Sequence, residues 1–210
     1  MLNAVLRVAR FTSAPTQQAW QAVKRIFRYL KGTSHYALEL GQVRNQGVYL
    51  DNLVGYADAD FAGDLLQRKS TTGNLILLCG SPVSWRCELQ RCVSTSTAEA
   101  ELVSACAAAK ELVWLRALLQ DMSVGWVGKP LPTVLYEDNT ATISMVKHAG
   151  GDQRRAKHID INYHYVREQV AAGTLDIVYC PTEDMLADIL TKPLLPARHA
   201  ALVALMLKTK

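Results

Sequence analysis

Apolar residues recur along this chain first at helical spacing and then in short alternating runs. Between residues 15 and 31 apolar and basic positions follow the period of an amphipathic helix, which Gly32 ends. The apolar positions of this helix are Trp20, Val23, Ile26, Phe27 and Leu30. Alternating apolar runs then predict strands at 36–40, 47–51, 53–58, 74–80 and 82–87. The last two are separated only by Gly80–Ser81, which predicts a tight turn between paired strands.

In the second half of the chain, segments with helical spacing of apolar residues alternate with segments that have the alternating pattern of strands. "STAE" at 96–99 is a capping-box pattern, and the apolar stripe that follows predicts a helix from Ser96 to about Gln120. The later predictions are a Gly- and Pro-rich loop at 123–132, a strand at 133–138, a helix at 139–148, a helix at 159–171, a strand at 174–180 and a final helix at 182–192, before Pro193.

This order of elements predicts the fold class. Antiparallel strands come first, a helix follows, and strands then alternate with helices. Such an order indicates an α/β fold with a mixed five-stranded sheet, three antiparallel strands and then parallel ones, and helices on both faces. An all-β barrel or a helical bundle would not produce it.

Composition restricts the class of protein further. The chain has 210 residues, a net charge of +4 and a pI near 8.8, which is compatible with a polyanionic partner. Its five cysteines contain no C-x-x-C pair and are typical of buried thiols in a reducing compartment. No apolar run approaches the ~18 residues that a bilayer requires, and "MLNAVLRVARF" does not fit a secretory signal. We therefore expect a cytoplasmic or nuclear protein without a membrane partner.

Four acidic residues have a similar placement beside apolar neighbours. Asp58 and Asp138 end strands, Glu101 lies in the first turns of the long helix, and Asp188 lies on the last helix. Carboxylates buried together repel each other, and divalent cations such as Mg²⁺ or Mn²⁺ relieve that repulsion. Two such ions about 3.5–4 Å apart hydrolyse phosphodiesters. Each residue also has an ordinary interpretation, as a turn former, a helix cap or a charge that complements the helix dipole. Spacing alone leaves both interpretations open.

Six sequence blocks give more specific information when they are taken in order. They are "GYADADFAGD", "RKSTTGNLILLCGSPVSW", "STSTAEAELVSACAAAKELVWLR", "LYEDNTATI", "KHIDINYHYVRE" and "EDMLADILTKPL". This series resembles the ribonuclease H domain of copia-type LTR retrotransposon Pol polyproteins. "FTSAPTQQAWQAVKRIFRYLKGT" is similar to the end of the reverse transcriptase and its connector in the same family. The matches run from about Arg10 to Pro193.

The resemblance implies a ribonuclease H-like fold and a division of the chain. Residues 1–50 correspond to the C-terminal remnant of the reverse transcriptase or connector, 51–195 to the ribonuclease H-like domain, and 196–210 to a C-terminal tail or helix. The start at Met1 falls in the middle of the family's polyprotein, which implies a truncated element. No Y-x-D-D motif occurs in the sequence, so we expect no polymerase active site in this chain.

Carried over by residue, the resemblance implies that Asp58, Glu101, Asp138 and Asp188 are both the catalytic residues and the ligands of two Mg²⁺ or Mn²⁺ ions. It selects Asp58 rather than Asp60 in "YADAD" and Asp138 rather than Glu137 in "YEDN". It selects Glu101 in "AEAEL", which leaves Glu99 to the capping box.

The implied activity is metal-assisted hydrolysis of the RNA strand of an RNA–DNA hybrid during reverse transcription, leaving a 3′ hydroxyl and a 5′ phosphate. The implied partners are the hybrid and the reverse transcriptase portion of the parent polyprotein, and the implied location is a virus-like particle in the cytoplasm, or the nucleus. Selection for RNA requires contacts to 2′-hydroxyl groups. Candidate nucleic-acid contacts are Ser96 and Thr97 within the segment 94–97, Asn139, and the basic residues Arg154, Arg155, Lys157 and His158. A solvated loop and helix start is the alternative for the basic cluster.

One departure from the family pattern and two alternative functions stay open at this point. Many ribonucleases H carry a histidine before the last ligand, where this chain has Tyr179 and Cys180, so no proton-transfer residue is assigned. One alternative is a catalytically inactive remnant that at most binds nucleic acid. Another is an integrase or transposase nuclease that cleaves DNA. Glu101 on the long helix and the segment "ADILTKPL" favour ribonuclease H over the second alternative.

Overall fold

The structure is a computed structural model that describes residues 1–40, 52–64, 66–125, 131–148 and 157–209, with the backbone alone for 157–160. Its central element is a five-stranded sheet in the order β4-β3-β2-β5-β6. The strands are β2 (Leu53–Asp60), β3 (Thr71–Leu78), β4 (Ser81–Leu89), β5 (Thr133–Glu137) and β6 (Leu175–Tyr179). β4, β3 and β2 pair antiparallel, whereas β2, β5 and β6 pair parallel. The predicted mixed sheet is confirmed.

The turn between β3 and β4 differs from the prediction by one residue. Cys79 and Gly80 form it, with φ of 52° and 75°, instead of Gly80 and Ser81. Two consecutive residues with positive φ are typical of a two-residue hairpin turn whose twist matches that of the strands. Gly80 accepts this conformation at little cost, because it has no side chain.

Helices cover both faces of the sheet, as the sequence predicts. They are α1 (Leu2–Ala9), α2 (Gln17–Gly32), α3 (Thr97–Asp121), α4 (Thr140–Lys147), α5 (Lys157–Ala171), α6 (Asp188–Thr191) and α7 (Pro196–Met206). On one face α3 and α5 bury a core around Leu102, Leu112 and Val166 against the sheet. On the other face a second core joins Leu75 of β3 to Leu190.

The predicted cap of the long helix is present with one change. The Ser96 hydroxyl accepts a hydrogen bond from the backbone N–H of Glu99 at 3.1 Å. The Glu99 carboxylate accepts bonds from the backbone N–H and the hydroxyl of Thr95, both at 2.7 Å. The capping box therefore closes on Thr95 as well as on Ser96, and it fixes the start of α3.

The N-terminal segment contains a helix that the apolar pattern did not predict, α1. The predicted helix at 15–31 is observed as α2, and the hydroxyl of Thr16 caps it by accepting from Ala19 N–H at 3.1 Å. None of the residues of α2 is buried, and Trp20 and Phe27 are 56% and 66% exposed. The apolar stripe of α2 is thus mostly open to solvent.

The strand predictions near the N-terminus have different outcomes. The predicted strand at 36–40 is limited to β1 (Tyr36–Ala37), which pairs antiparallel with β7 (Lys208–Thr209). The strand predicted at 47–51 lies outside the described residues. No helix among the described residues is both long and apolar enough to cross a membrane.

The final helix predicted at 182–192 is wrong as a single element. Residues Thr182–Asp184 form one 3-10 turn, Met185 takes an extended backbone conformation, and α6 begins only at Asp188. The Met185 side chain is fully buried and packs with Cys180 and Ala187. Burial of Met185 therefore competes with helix formation, and the break lets α6 start next to the sheet.

Candidate active site

Two neighbouring parallel strands bring the first two carboxylates together. Val54 to Tyr56 of β2 pair in register with Val134 to Tyr136 of β5. The same offset, continued by two residues, places Asp138 beside Asp58. Because the carboxyl ends of parallel strands lie at the same edge of a sheet, this edge is where a site is expected.

The third carboxylate, Glu101, comes from the second turn of α3. Ser104 lies one turn further along the same helix and is fully buried, and its hydroxyl donates to the backbone carbonyl of Asp58 at 2.8 Å. Residues three apart lie on the same face of a helix. The bond from Ser104 therefore holds the Glu101 face of α3 against the strand that carries Asp58.

The three side chains converge on one small volume. Ligand oxygens of Asp58, Glu101 and Asp138 all lie within 4.8 Å of one another. Asp58 and Glu101 are buried, and Glu101 Oε2 is a buried oxygen without a hydrogen-bond partner among the described residues. An octahedral Mg²⁺ ion with bonds of about 2.1 Å separates its ligand oxygens by similar distances. The donor set and the unpartnered oxygen both fit a divalent cation with hard oxygen ligands.

The burial of these acids changes their protonation. Burial, followed by the charges of Glu137, Asp58 and Asp138, raises the pKa of Glu101 to about 11. Burial also raises the pKa of Asp58, although Lys192 opposes that change. Without a bound metal ion in the cluster, Glu101 is therefore protonated at neutral pH.

The fourth predicted residue, Asp188, is joined to Asp58 through a lysine. Lys192 Nζ donates to Asp58 Oδ1 at 2.8 Å and to Asp188 Oδ1 at 2.7 Å. The two carboxylate oxygens are therefore about 5.5 Å apart at most, because both bonds share the nitrogen. Asp188 is buried and begins α6. The structure thus brings all four predicted acids to one region, three in direct proximity and the fourth through Lys192.

Close packing of α6 on the sheet places Asp188 and Lys192. Gly73 of β3 lies directly opposite Asp58 in the antiparallel pair. A Cβ atom on Gly73 would lie only 2.4 Å from Thr191 Cγ2, so glycine is needed for this approach. The Thr191 hydroxyl donates a short hydrogen bond to Asp58 Oδ2. Its backbone carbonyl accepts from Asn3 Nδ2 at 2.6 Å, which ties α1 to the same turn.

Two charged residues at the site were not identified from the sequence. Glu137 is fully buried, and its Oε2 has no hydrogen-bond partner in the described part of the chain, while Oε1 accepts from Asn139 N–H at 3.1 Å. Burial raises the pKa of Glu137 well above its usual value. The alternation of β5 could have indicated this, since Leu135 and Glu137 share a face. No sequence signal distinguishes Lys192 from a solvated lysine at a helix end.

The other candidate residues have several outcomes. Ser96 caps α3, and the Asn139 side-chain oxygen caps α4 by accepting from the N–H groups of Ala141 and Thr142 at 3.0 and 3.1 Å. Thr97 is exposed at the start of α3. Arg154, Arg155 and the side chains of Lys157 and His158 lie outside the described residues.

Asp60, the second aspartate of "YADAD", has a partner away from the cluster. Its carboxylate lies 3.7 Å from the guanidinium of Arg7 on α1. Burial raises the pKa of Asp60, and the charge of Arg7 opposes that change. Asp60 therefore interacts with the N-terminal helix, whereas Asp58 faces the other acids.

Comparison with known proteins finds similar sequences in transposon polyproteins. The chain is 39% identical over 190 residues to the retrovirus-related Pol polyprotein from transposon TNT 1-94 of Nicotiana tabacum, which covers 90% of this chain and 14% of that protein. It is 37% identical over 191 residues to the corresponding polyprotein from transposon RE1 of Arabidopsis thaliana, which covers 91% of this chain and 12% of that protein. The chain thus spans about one seventh or less of these relatives. No family model matches the chain.

Among solved structures, the chain is similar to LC11-RNase H1 in complex with an RNA/DNA hybrid. The TM-score is 0.48 at 14% identity, and the match covers 66% of this chain and 93% of that one. Similarity at this level carries no argument about activity.

The five-stranded mixed sheet, its helices on both faces and the carboxylates at its edge form the arrangement that the sequence predicts for a ribonuclease H-like fold. The predicted fold class is therefore confirmed. Over about nine tenths of its length, the chain is homologous to one segment of the retrovirus-related Pol polyproteins of plant transposons.

Proposed function

We propose that this chain is a metal-dependent ribonuclease H that cleaves the RNA strand of RNA–DNA hybrids during reverse transcription. The observation that carries the proposal is the convergence of Asp58, Glu101 and Asp138, whose ligand oxygens lie within 4.8 Å of one another. Three buried or half-buried carboxylates this close are costly unless a cation joins them. The relatives reported above are retrovirus-related Pol polyproteins from transposons, which supports a role in reverse transcription.

The residues that would hold two Mg²⁺ or Mn²⁺ ions are Asp58, Glu101, Asp138 and Asp188. When bound, such a pair of ions activates water and stabilises the leaving oxygen of a phosphodiester. The protein supplies a rigid donor set. Ser104 fixes the strand of Asp58 to α3, and Thr182 donates to Asp138 Oδ2 at 2.9 Å. Oxygens held in this way lose little freedom on metal binding.

Recognition of the hybrid is proposed for the surface around the start of α3 and α4. Thr97 is exposed there, close in sequence to Glu101, and a hydroxyl at this position can contact a 2′-hydroxyl group. Ser96 and Asn139 already use their side-chain oxygens as helix caps. They would therefore act mainly by orienting the helix starts. The basic residues 154, 155, 157 and 158 are proposed to contact phosphates.

The proposal is tested with a labelled RNA–DNA hybrid, Mg²⁺ and the purified chain. We expect RNA cleavage that leaves 3′ hydroxyl ends, that EDTA abolishes, and that spares double-stranded DNA. Asp58→Asn and Asp138→Asn should each abolish cleavage. Asp176→Asn is the matched control. Asp176 lies on β6, away from the cluster, and pairs with Lys147 of α4, so this substitution should leave cleavage unchanged.

Three results would contradict the proposal in different ways. A wild-type protein that binds the hybrid without cleaving it at any metal concentration would support an inactive binding module instead. Full activity in Asp58→Asn would instead remove the assigned site. Cleavage of double-stranded DNA in place of the hybrid would favour a DNA nuclease.

A further inference from the structure

Lys192 has a position that its place in the sequence does not explain. Lys192 directly follows the last residue of α6, one helical turn after Asp188. Its ammonium group lies between two buried carboxylates. The Nζ atom donates to Asp58 Oδ1 at 2.8 Å and to Asp188 Oδ1 at 2.7 Å. About a third of its side chain remains exposed, 32%, so a path to solvent exists for the stem.

The charge of Lys192 compensates the two acids. Asp58 is fully buried and Asp188 is 4% exposed. Within the described part of the chain, the other cation near this pair is Arg198, whose nearest nitrogen is 3.8 Å from Asp188 Oδ2. Burial alone would lower the pKa of Lys192, but its contacts with both carboxylates raise it above its ordinary value. Both carboxylates lie at ion-pair distance from Nζ, so the ammonium charge is shared between them.

We propose that Lys192 is the built-in cation of the metal-free site, a positioning residue that holds Asp58 and Asp188 together until a divalent ion displaces it. The inference rests on the proposed metal site and describes how that site is kept ready. Lysine suits this role, because its ammonium is a compact charge on a flexible stem that can move away without moving the backbone.

The displacement of Lys192 by a metal ion follows from the donors and charges around Asp58. Asp58 Oδ1 accepts from Lys192, and Asp58 Oδ2 accepts from Thr191. Each carboxylate oxygen has two lone-pair sites, so a metal ion that binds Asp58 would share the carboxylate with these donors and lie within a few ångströms of Lys192 Nζ. Since two cations a few ångströms apart repel each other, the ammonium of Lys192 is the donor that leaves. It would remain near the cluster, within reach of an incoming phosphate.

The test compares Lys192→Met with wild type without nucleic acid. In EDTA, Lys192→Met should unfold at a lower temperature, because two buried carboxylates lose their counter-charge. Its Mn²⁺ affinity, measured by calorimetry, should rise by at least about tenfold, because the competing charge is gone. Lys147→Met is the matched control, since Lys147 forms a 2.9 Å pair with half-exposed Asp176. It should match wild type in both measurements.

Mn²⁺ affinity that is unchanged or weaker in Lys192→Met would overturn the proposal, since a merely structural lysine would lower stability without improving metal binding. If Lys192→Met does not fold in EDTA, Lys192→Gln is measured instead, with the same expectation. Lys192→Arg, which keeps the charge, should stay within a few-fold of wild type. Failure of the proposed function looks different: the hybrid would remain uncleaved although the Lys192 effect on Mn²⁺ binding is present.

Discussion

Gly73 and Thr191 are separated by less than the space of one methyl group. A Cβ atom on Gly73 would lie 2.4 Å from Thr191 Cγ2 and 3.0 Å from Leu190 Cβ. Since Gly73 is also the direct strand partner of Asp58, this close contact between α6 and the sheet is at the position of a candidate ligand. The absence of a side chain at residue 73 thus determines how near Asp188 and Lys192 come to Asp58.

Gly73→Ala should therefore damage the site more than the fold. We expect a loss of about 1–3 kcal/mol in the free energy of unfolding, typical of overpacking, and cleavage of the hybrid that falls further than the folded fraction does. Denaturant unfolding and cleavage rates per folded molecule measure the two effects.

Gly55→Ala provides the control for Gly73→Ala. Gly55 lies in the same strand as Asp58, but a Cβ there would meet Leu112 Cδ1 at 2.8 Å on the α3 face. Gly55→Ala should lower the free energy of unfolding and leave cleavage per folded molecule intact. Equal loss of cleavage in the two variants would contradict the interpretation.

The stability of the metal-free protein should fall as pH rises. The pKa of Glu101 is raised from 4.5 to about 11. Between these two pH values the folded state keeps a proton that the unfolded chain releases. The folded state binds more protons there, so the free energy of unfolding decreases with pH, by up to about 1.4 kcal/mol per pH unit for one such group. Glu101→Gln should flatten this dependence and raise the melting temperature in EDTA at pH 8–9.

Glu137→Gln separates the electrostatic effect from metal ligation. Burial raises the pKa of Glu137 in the same direction, so this substitution should also stabilise the metal-free protein at alkaline pH. However, Glu137 is not among the three acids whose oxygens converge. Stabilisation by Mn²⁺ should therefore persist in Glu137→Gln and disappear in Glu101→Gln. Melting curves with EDTA and with Mn²⁺ distinguish the two variants, and equal Mn²⁺ stabilisation in both would remove Glu101 from the ligand set.

Two threonines each donate a hydrogen bond to a candidate ligand, and replacing them should lower the free energy of unfolding by different amounts. Thr191 is fully buried and bonds to Asp58, whereas exposed Thr182 bonds to Asp138 at 2.9 Å. Thr191→Val should cost about 1.5–3 kcal/mol, the value of a hydrogen bond to a charged group. Thr182→Val should stay within about 0.5 kcal/mol, as for most surface changes. Urea unfolding measures both. Similar costs would mean that burial does not set the strength of these bonds.

Asn3 connects the N-terminal helix to the site. Its side-chain amide donates to the Thr191 carbonyl at 2.6 Å, and its oxygen accepts from Arg7 Nε at 3.0 Å. Asn3→Ala should leave the Thr191 carbonyl without this donor and cost about 1–2 kcal/mol. Amide hydrogen exchange at residues 190–192 should become faster. Thr12→Ala, which loses only an exposed local bond to Ala9, should leave that exchange unchanged.

Parts of this molecule follow directly from local sequence signals. The capping box predicts the start of α3, and alternation predicts the strands of the antiparallel half. Apolar runs ending in acids predict that Asp58 and Asp138 lie near the ends of β2 and β5, although β2 continues for two residues to Asp60. Asp58 and Asp138 were therefore accessible as strand-end carboxylates. Their pairing was not, because register between β2 and β5 depends on contacts about 80 residues apart in the chain.

Other features depend on tertiary contacts that no local pattern encodes. The predicted helix at 182–192 fails because burial of Met185 outweighs local helix preference. Helix α1 is stabilised by contacts such as Asn3 with Thr191, whereas its sequence has no N-cap side-chain bond. Lys192 has the sequence context of a solvated lysine, and only the folded position of α6 places it between two acids.

The distribution of the site along the chain has a consequence for truncated forms. The four acids and Lys192 come from β2, α3, the end of β5 and the α6 segment, so the shortest stretch that contains them runs from residue 58 to residue 192. No smaller fragment contains all five residues, so a truncation inside this stretch removes at least one of them rather than weakening the whole cluster. Metal binding by this protein would therefore report that β2 and β5 have paired and that α3 and α6 have packed against them, which makes it a folding probe as well as a chemical one.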